Sequence, residues 1–135
     1  MNGVITVRSL LVADTGLMAL VPEARIAAGS LPQGTVIPAI SLMSVSSVDR
    51  NIPAPGPKRR VTERVQVTVL ARTYPETKAI LAAIRTAAAD QMPAIDGLTD
   101  VTVYTDSAGP DLLDEETGIH MQTQDFRVSF NEARP

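Results

Sequence analysis

The sequence predicts an α+β domain: a small, mainly antiparallel four-stranded sheet with helices packed on one face, in the order α-β-β-α-β-β. Three observations predict it. Val61, Val65, Val67 and Val69 alternate with Thr62, Arg64, Gln66 and Thr68, the signature of a strand with one buried and one polar face. Thr73 and Glu76 form a capping box ahead of an apolar stripe at Ile80, Ile84, Ala87 and Ala88, widened by Leu81. Proline and glycine punctuate the chain between such segments. An amphipathic helix of this kind covers the apolar face of an antiparallel sheet.

In chain order, residues 4–21 read as a helix in two pieces. Val4, Val7 and Leu11 repeat at helical spacing, and Asp14 caps a second piece that Pro22 stops. Residues 22–38 read as loop. Residues 39–48 read as a strand, and 49–60, with three prolines and four basic residues, as a long mobile loop. The alternating strand follows at 61–71, broken only by Glu63. Residues 74–90 are the second main helix, with Pro75 tolerated in its first turn. A third strand is expected at 99–105 and a turn with a short acidic segment at 106–118. The last strand spans 119–131, with Phe126, Val128 and Phe130 on one face. His120, Gln122 and Gln124 share that face, which predicts a bulge near Asp125 or an exposed first half.

Composition bounds the chemistry. The chain has 135 residues, which suits a single domain over 1–135. It has no cysteine and one histidine, which excludes disulfides, Cys-ligated metals and His-rich metal sites. Aromatic residues are 3%, too few for a base-stacking platform. The apolar stretch from Val4 to Val21 is interrupted by Arg8 and Asp14, so it reads neither as a membrane span nor as a signal peptide. The expectation is a cytosolic chain without a membrane partner.

Charge is informative by position. Between Arg85 and Arg127 lie nine acidic residues and no Lys or Arg; the rest carries twelve bases against six acids, a net +6. Two readings fit: two solvated faces, or self-complementarity in which the basic part of one subunit meets the acidic part of the next. The interface candidates are Arg50, Lys58, Arg59, Arg60 and Arg64 on one side and Asp111, Asp114, Glu115 and Glu116 on the other.

Catalytic signatures are weak. His120 with Ser129 or Ser107 makes a triad only on paper, because no nucleophile elbow accompanies it. The acidic run at 111–116 lacks the spacing of a calcium loop. Gly29 to Gly34 lacks the lysine of a phosphate loop, and Pro32 removes an amide donor. The basic loop could meet phosphates without reading sequence. No catalytic residue, cofactor or metal is assigned.

Several segments together resemble a known family. They are Leu31-Pro32-Gln33-Gly34 with Pro38-Ala39-Ile40; Arg64-Val65-Gln66-Val67-Thr68-Val69; Thr73-Tyr74 opening an Ala-rich helix; and Glu116-Thr117-Gly118-Ile119-His120 with Gln124-Asp125-Phe126-Arg127-Val128. In order and spacing they resemble the tail terminator, or tail completion, proteins of long-tailed bacteriophages and phage-like gene transfer agents. Members often carry Trp or Tyr in the middle strand, where this chain has Leu70.

The resemblance implies a structural virion protein. It implies a homo-oligomer, a hexameric ring that caps the tail tube, stops its growth and presents a docking surface to the head or neck. The implied partners are the tail tube protein and a head or neck completion protein, with DNA passing through the ring unread. The implied location is the host cytoplasm during assembly, then the head-tail junction. Another connector, such as a head-closure or neck protein, and a tail tube subunit are the alternatives. An enzyme or small-ligand binder is a third reading. Within a ring, Arg59, Arg60 and Arg64 are expected to face the 111–116 segment of a neighbour.

Overall fold

The structure, a computed structural model, describes residues 1–50 and 56–134. The N-terminal pair is α1 (Asn2–Val12) and α2 (Thr15–Leu20), followed by a 3-10 turn at Glu23–Arg25. Then come β1 (Ile26–Ala28), β2 (Ala39–Asp49), β3 (Lys58–Ala71) and α3 (Tyr74–Ala88). The chain closes with β4 (Leu98–Ala108), β5 (Leu112–Asp114) and β6 (Ile119–Ala133). One six-stranded sheet runs in the order β1-β2-β3-β6-β4, and β5 pairs with β6 beyond the end of β4. Among the described strands only β1 against β2 is parallel.

The local rules place the helices. Asp14 accepts the Leu17 amide at 2.9 Å and so opens α2, as its sequence position suggests. Thr73 accepts the Glu76 amide at 3.2 Å, and the Glu76 carboxylate takes the Arg72 amide at 3.0 Å. The capping box is therefore displaced by one residue on its return arm. Val4, Val7 and Leu11 of α1 and Ile80, Ile84 and Ala88 of α3 are buried together with Val61, Val65, Val67, Val69, Phe126, Val128 and Phe130. All these strand residues share one face, which the helices cover. Each large aliphatic or aromatic side chain so buried contributes about 1.5–3 kcal/mol.

The expected four-stranded sheet and its order are corrected. The sheet has six strands, because β1 and β5 are three residues each and too short for any periodicity to show. They form as additions to the long strands β2 and β6. The expected loop 49–60 is also corrected at both ends. Asp49 belongs to β2 and Lys58, Arg59 and Arg60 to β3, with the Arg50 amide donating to the Arg60 carbonyl at 2.9 Å. The middle of that expected mobile loop, residues 51–55, lies outside the described residues.

The last strand differs most instructively. Its pairing with β3 runs in register from Ala133 to His120, and the expected irregularity near Asp125 lies on its other side, where β4 from Thr105 to Ala108 faces the shorter stretch of β6 from Phe126 to Gln124. Its first half is not exposed, for Gln124 is fully buried and Gln122 nearly so. Helix α3 satisfies these amides. Lys78 Nζ lies 2.6 Å from Gln122 Oε1, and Arg85 donates to Gln124 Oε1 at 2.9 Å. The polar break in the apolar face is thus met by two cations on the covering helix.

Candidate assembly interface

Pairing register fixes where the charges lie. Lys58 of β3 is opposite Ala133 of β6, and Ala71 is opposite His120. Strand β5 pairs with Ile119 to Met121, at the end far from Lys58. Along a strand at about 3.3 Å per residue, the basic end and the acidic hairpin are roughly 40 Å apart. Within one subunit they do not meet.

At the basic end, strand alternation divides the candidates. Arg59 lies on the helix side, where it pairs with Glu132 at 2.9 Å and Asp49 at 3.6 Å. Lys58 and Arg60 lie on the uncovered face. Arg60 donates to the Asp100 carbonyl at 2.7 Å, and Lys58 reaches the Thr99 hydroxyl at 3.4 Å. Arg50, Lys58 and Arg60 have no carboxylate within 4.0 Å among the described residues. Arg50 and Arg60 flank a hollow of about 500 Å³ floored by Thr62 and Ser129.

Arg64 is occupied within its own chain. It donates to Asp125 at 2.7 Å and lies 3.3 Å from Asp106, which also pairs with Arg127 at 3.4 Å. This four-residue network lies on the uncovered face of the sheet. Sequence reading named neither Asp106 nor Asp125 as a partner, because both pair across strands. So Arg59 and Arg64 carry internal ion pairs, and Arg59 points away from Arg60 and Arg64.

At the acidic end, Asp111 is also anchored. Lys78 Nζ contacts its carboxylate at 2.6 Å and the Tyr74 hydroxyl donates to it at 2.8 Å. These bonds hold the Asp111 carboxyl below its ordinary value, the Lys78 bond first and the Tyr74 bond second. The same bond to Asp111 raises Lys78 above its ordinary value. Asp114 instead shapes the β5–β6 turn, accepting the Glu116 amide at 3.1 Å and, through its carbonyl, the Gly118 amide at 2.7 Å. Asp114, Glu115 and Glu116 have no cation within 4.0 Å among the described residues.

The sheet has two unlike edges. On one side β1 covers only Ile40 to Leu42 of β2, so Met43 to Asp49 have no strand partner on that side among the described residues. Met43, Val45 and Val48 are exposed there, Val48 at 66%. On the other side β4 and β5 form the rim, and β4 takes only a bridge from Gln91 to Val103. An uncovered edge with exposed aliphatic side chains is a template for pairing with another chain.

His120 and Ser129 are nine residues apart on one strand, roughly 30 Å. His120 instead sits edge-on to Tyr74, with ring centroids 6.3 Å apart. Among the described residues no three His, Cys, Asp or Glu side chains gather to hold a metal ion. Among the described residues no helix is long and apolar enough to cross a membrane.

Residues 6–130 match the family model described as "Tail completion protein gp17". Among solved structures, a chain from the "Virion of native gene transfer agent (GTA) particle" is similar in fold. The likeness covers 93% of this chain and 91% of that chain, with a TM-score of 0.74 and 19% identity. No curated protein sequence matches the chain.

Proposed function

The chain belongs to the tail completion protein gp17 family, and from that premise we propose that it forms a hexameric ring that caps the tail tube, stops its growth and offers the docking surface for the head or neck. The observation that carries the reading is the pair of unlike sheet edges. A heterologous contact needs two different surfaces on one subunit, and such contacts close into a ring when the rotation permits. The edge of β1 and β2 runs between Arg25 and Arg50. The edge of β4 and β5 carries Asp111, Asp114, Glu115 and Glu116.

The contact set is narrower than the sequence alone suggests. Of the sequence candidates, Arg50, Lys58 and Arg60 form one basic corner open to a neighbour, and Asp114, Glu115 and Glu116 a separate acidic corner at the far end of the sheet, so the two need not meet each other. Arg59, Arg64 and Asp111 brace these surfaces from within. The chain's role is architectural: its partners are further copies, the tube below and the head or neck above, and DNA passes through the ring without being read. It works without a cofactor, first in the host cytoplasm and then at the head-tail junction.

Electron microscopy of particles made without this chain tests the proposal. Filled heads beside unattached, overlong tails are the expected result. Normal-length tails beside leaking heads would move the chain to head closure or the neck. An absence of tubes altogether would make it a tube subunit.

A further inference from the structure

The β5–β6 hairpin and the β1–β2 edge share an order of features along the strand axis. Strand β5 exposes Leu112 and Leu113, at 48% and 52%, and then turns through Asp114, Glu115 and Glu116. At the opposite edge, β1 stops at Ala28 while β2 continues to Asp49. That mismatch opens an apolar groove of about 300 Å³, bordered by Met1, Val4, Ala28, Leu42 and Met43. Gly29, at φ +85°, leaves its mouth open, with no atom within 4 Å of where a Cβ would stand.

Below the groove, at the start of β1, come Arg25 and Arg8. Arg8 donates to the Ile26 carbonyl at 3.0 Å. Neither arginine has a carboxylate within 4.0 Å among the described residues. Register sets the order. Strand β1 runs parallel to β2, antiparallel to β3 and so parallel to β6, whereas β5 runs against β6. Leucines therefore lie above acids on one edge, and the apolar groove lies above cations on the other.

We infer that β5 of one copy lies along the groove of a second copy, with Leu113 over Leu42 on the helix-covered side, Leu112 beside Met43 on the other face, and Asp114, Glu115 and Glu116 against that copy's Arg8 and Arg25. The contact rests on the ring reading and names its adhesive surface. Three features favour a second copy over an unrelated partner. The surfaces lie on opposite edges of one sheet, so a single translation and rotation joins them. Their apolar and charged parts match in order. The arm leading into the hairpin is tied to the body of the chain before binding: Lys78 and Tyr74 bond Asp111, and Gln122 donates to the Gly109 carbonyl at 2.9 Å. Rigid presentation lowers the entropy cost of docking.

The absence of native cysteine makes cross-linking clean. Leu113→Cys and Ala28→Cys chains are mixed, in solution at high concentration and in assembled particles, and oxidised. A disulfide between the two variants is the expected result, and the chain carrying both substitutions should give a ladder of covalent oligomers. Both positions are exposed, so the variants should keep the fold. Leu113→Cys alone linking to itself would show a two-fold contact and overturn the inference. Normal rings without any cross-link between the two variants would overturn the groove contact and leave the ring reading standing. A wild-type chain that stays monomeric both in solution and in particles would sink both. As a second reading, Glu115→Lys with Glu116→Lys should weaken self-association at least tenfold, and Arg25→Glu in the same chain should recover part of that loss. No recovery would remove Arg25 from the contact.

Discussion

Glu63 is the residue that breaks an otherwise apolar face. It is only 2% exposed, and its Oε1 accepts the Gly3 amide at 3.2 Å and the Met1 ammonium at 3.1 Å. Its other oxygen is buried without a hydrogen-bond partner among the described residues. Alternation made its burial legible, but its partners come from the far end of the sequence and no local rule supplies them. A Cβ on Gly3 would stand 2.7 Å from the Glu63 carboxylate carbon. Gly3→Ala should therefore cost about 1–3 kcal/mol by overpacking, read as a lower urea midpoint. The Lys78–Asp111 pair predicts a pH signature. Asp111, lowered from 3.8, gives stability that is complete above that value and lost as pH falls through the lowered one. Lys78, raised from 10.5, gives stability that is complete below that value and lost as pH rises through the raised one. The stability difference between wild type and Lys78→Met should thus be flat across neutral pH and shrink only at the two extremes. A difference that changes around neutrality would point to another titrating group.

Among the elements, long periodic ones were legible and short ones were not. Helix α3 follows from its cap and stripe, and β3 from its alternation. Strands β1 and β5 exist because long neighbours offer them an edge, and that information is non-local. The interior glutamines of β6 were misleading for the same reason: their partners sit on α3. Arg85→Met keeps an unbranched apolar stem but leaves Gln124 Oε1 buried without its donor. A loss of about 1–3 kcal/mol is expected in chemical denaturation. Thr73→Ala removes the acceptor of the Glu76 amide and should cost about 1 kcal/mol. If Arg85→Met is neutral, water serves Gln124 and the α3 brace is not structural.

For the whole molecule, the separation of charge was visible in the sequence and its division into faces was not. A run without Lys or Arg marks the acidic part whatever the fold, whereas strand pairing decides which cations are spent internally. Arg59 and Arg64 are spent; Arg50, Lys58 and Arg60 are not. Replacing Arg50 and Arg60 by Glu should leave the monomer folded, weaken self-association and reduce its dependence on salt. Sedimentation across a salt series reads all three, and an unchanged association would take the basic corner out of the interface. The most direct measurement for the central claim is a cryo-electron microscopy reconstruction of the intact particle with this chain located in it. The account predicts one closed ring of six copies at the head-proximal end of the tube, with β4 and β5 of each copy against β1 and β2 of the next. Copies repeated along the length of the tube, or a ring joined through the helices instead of the sheet edges, would contradict it.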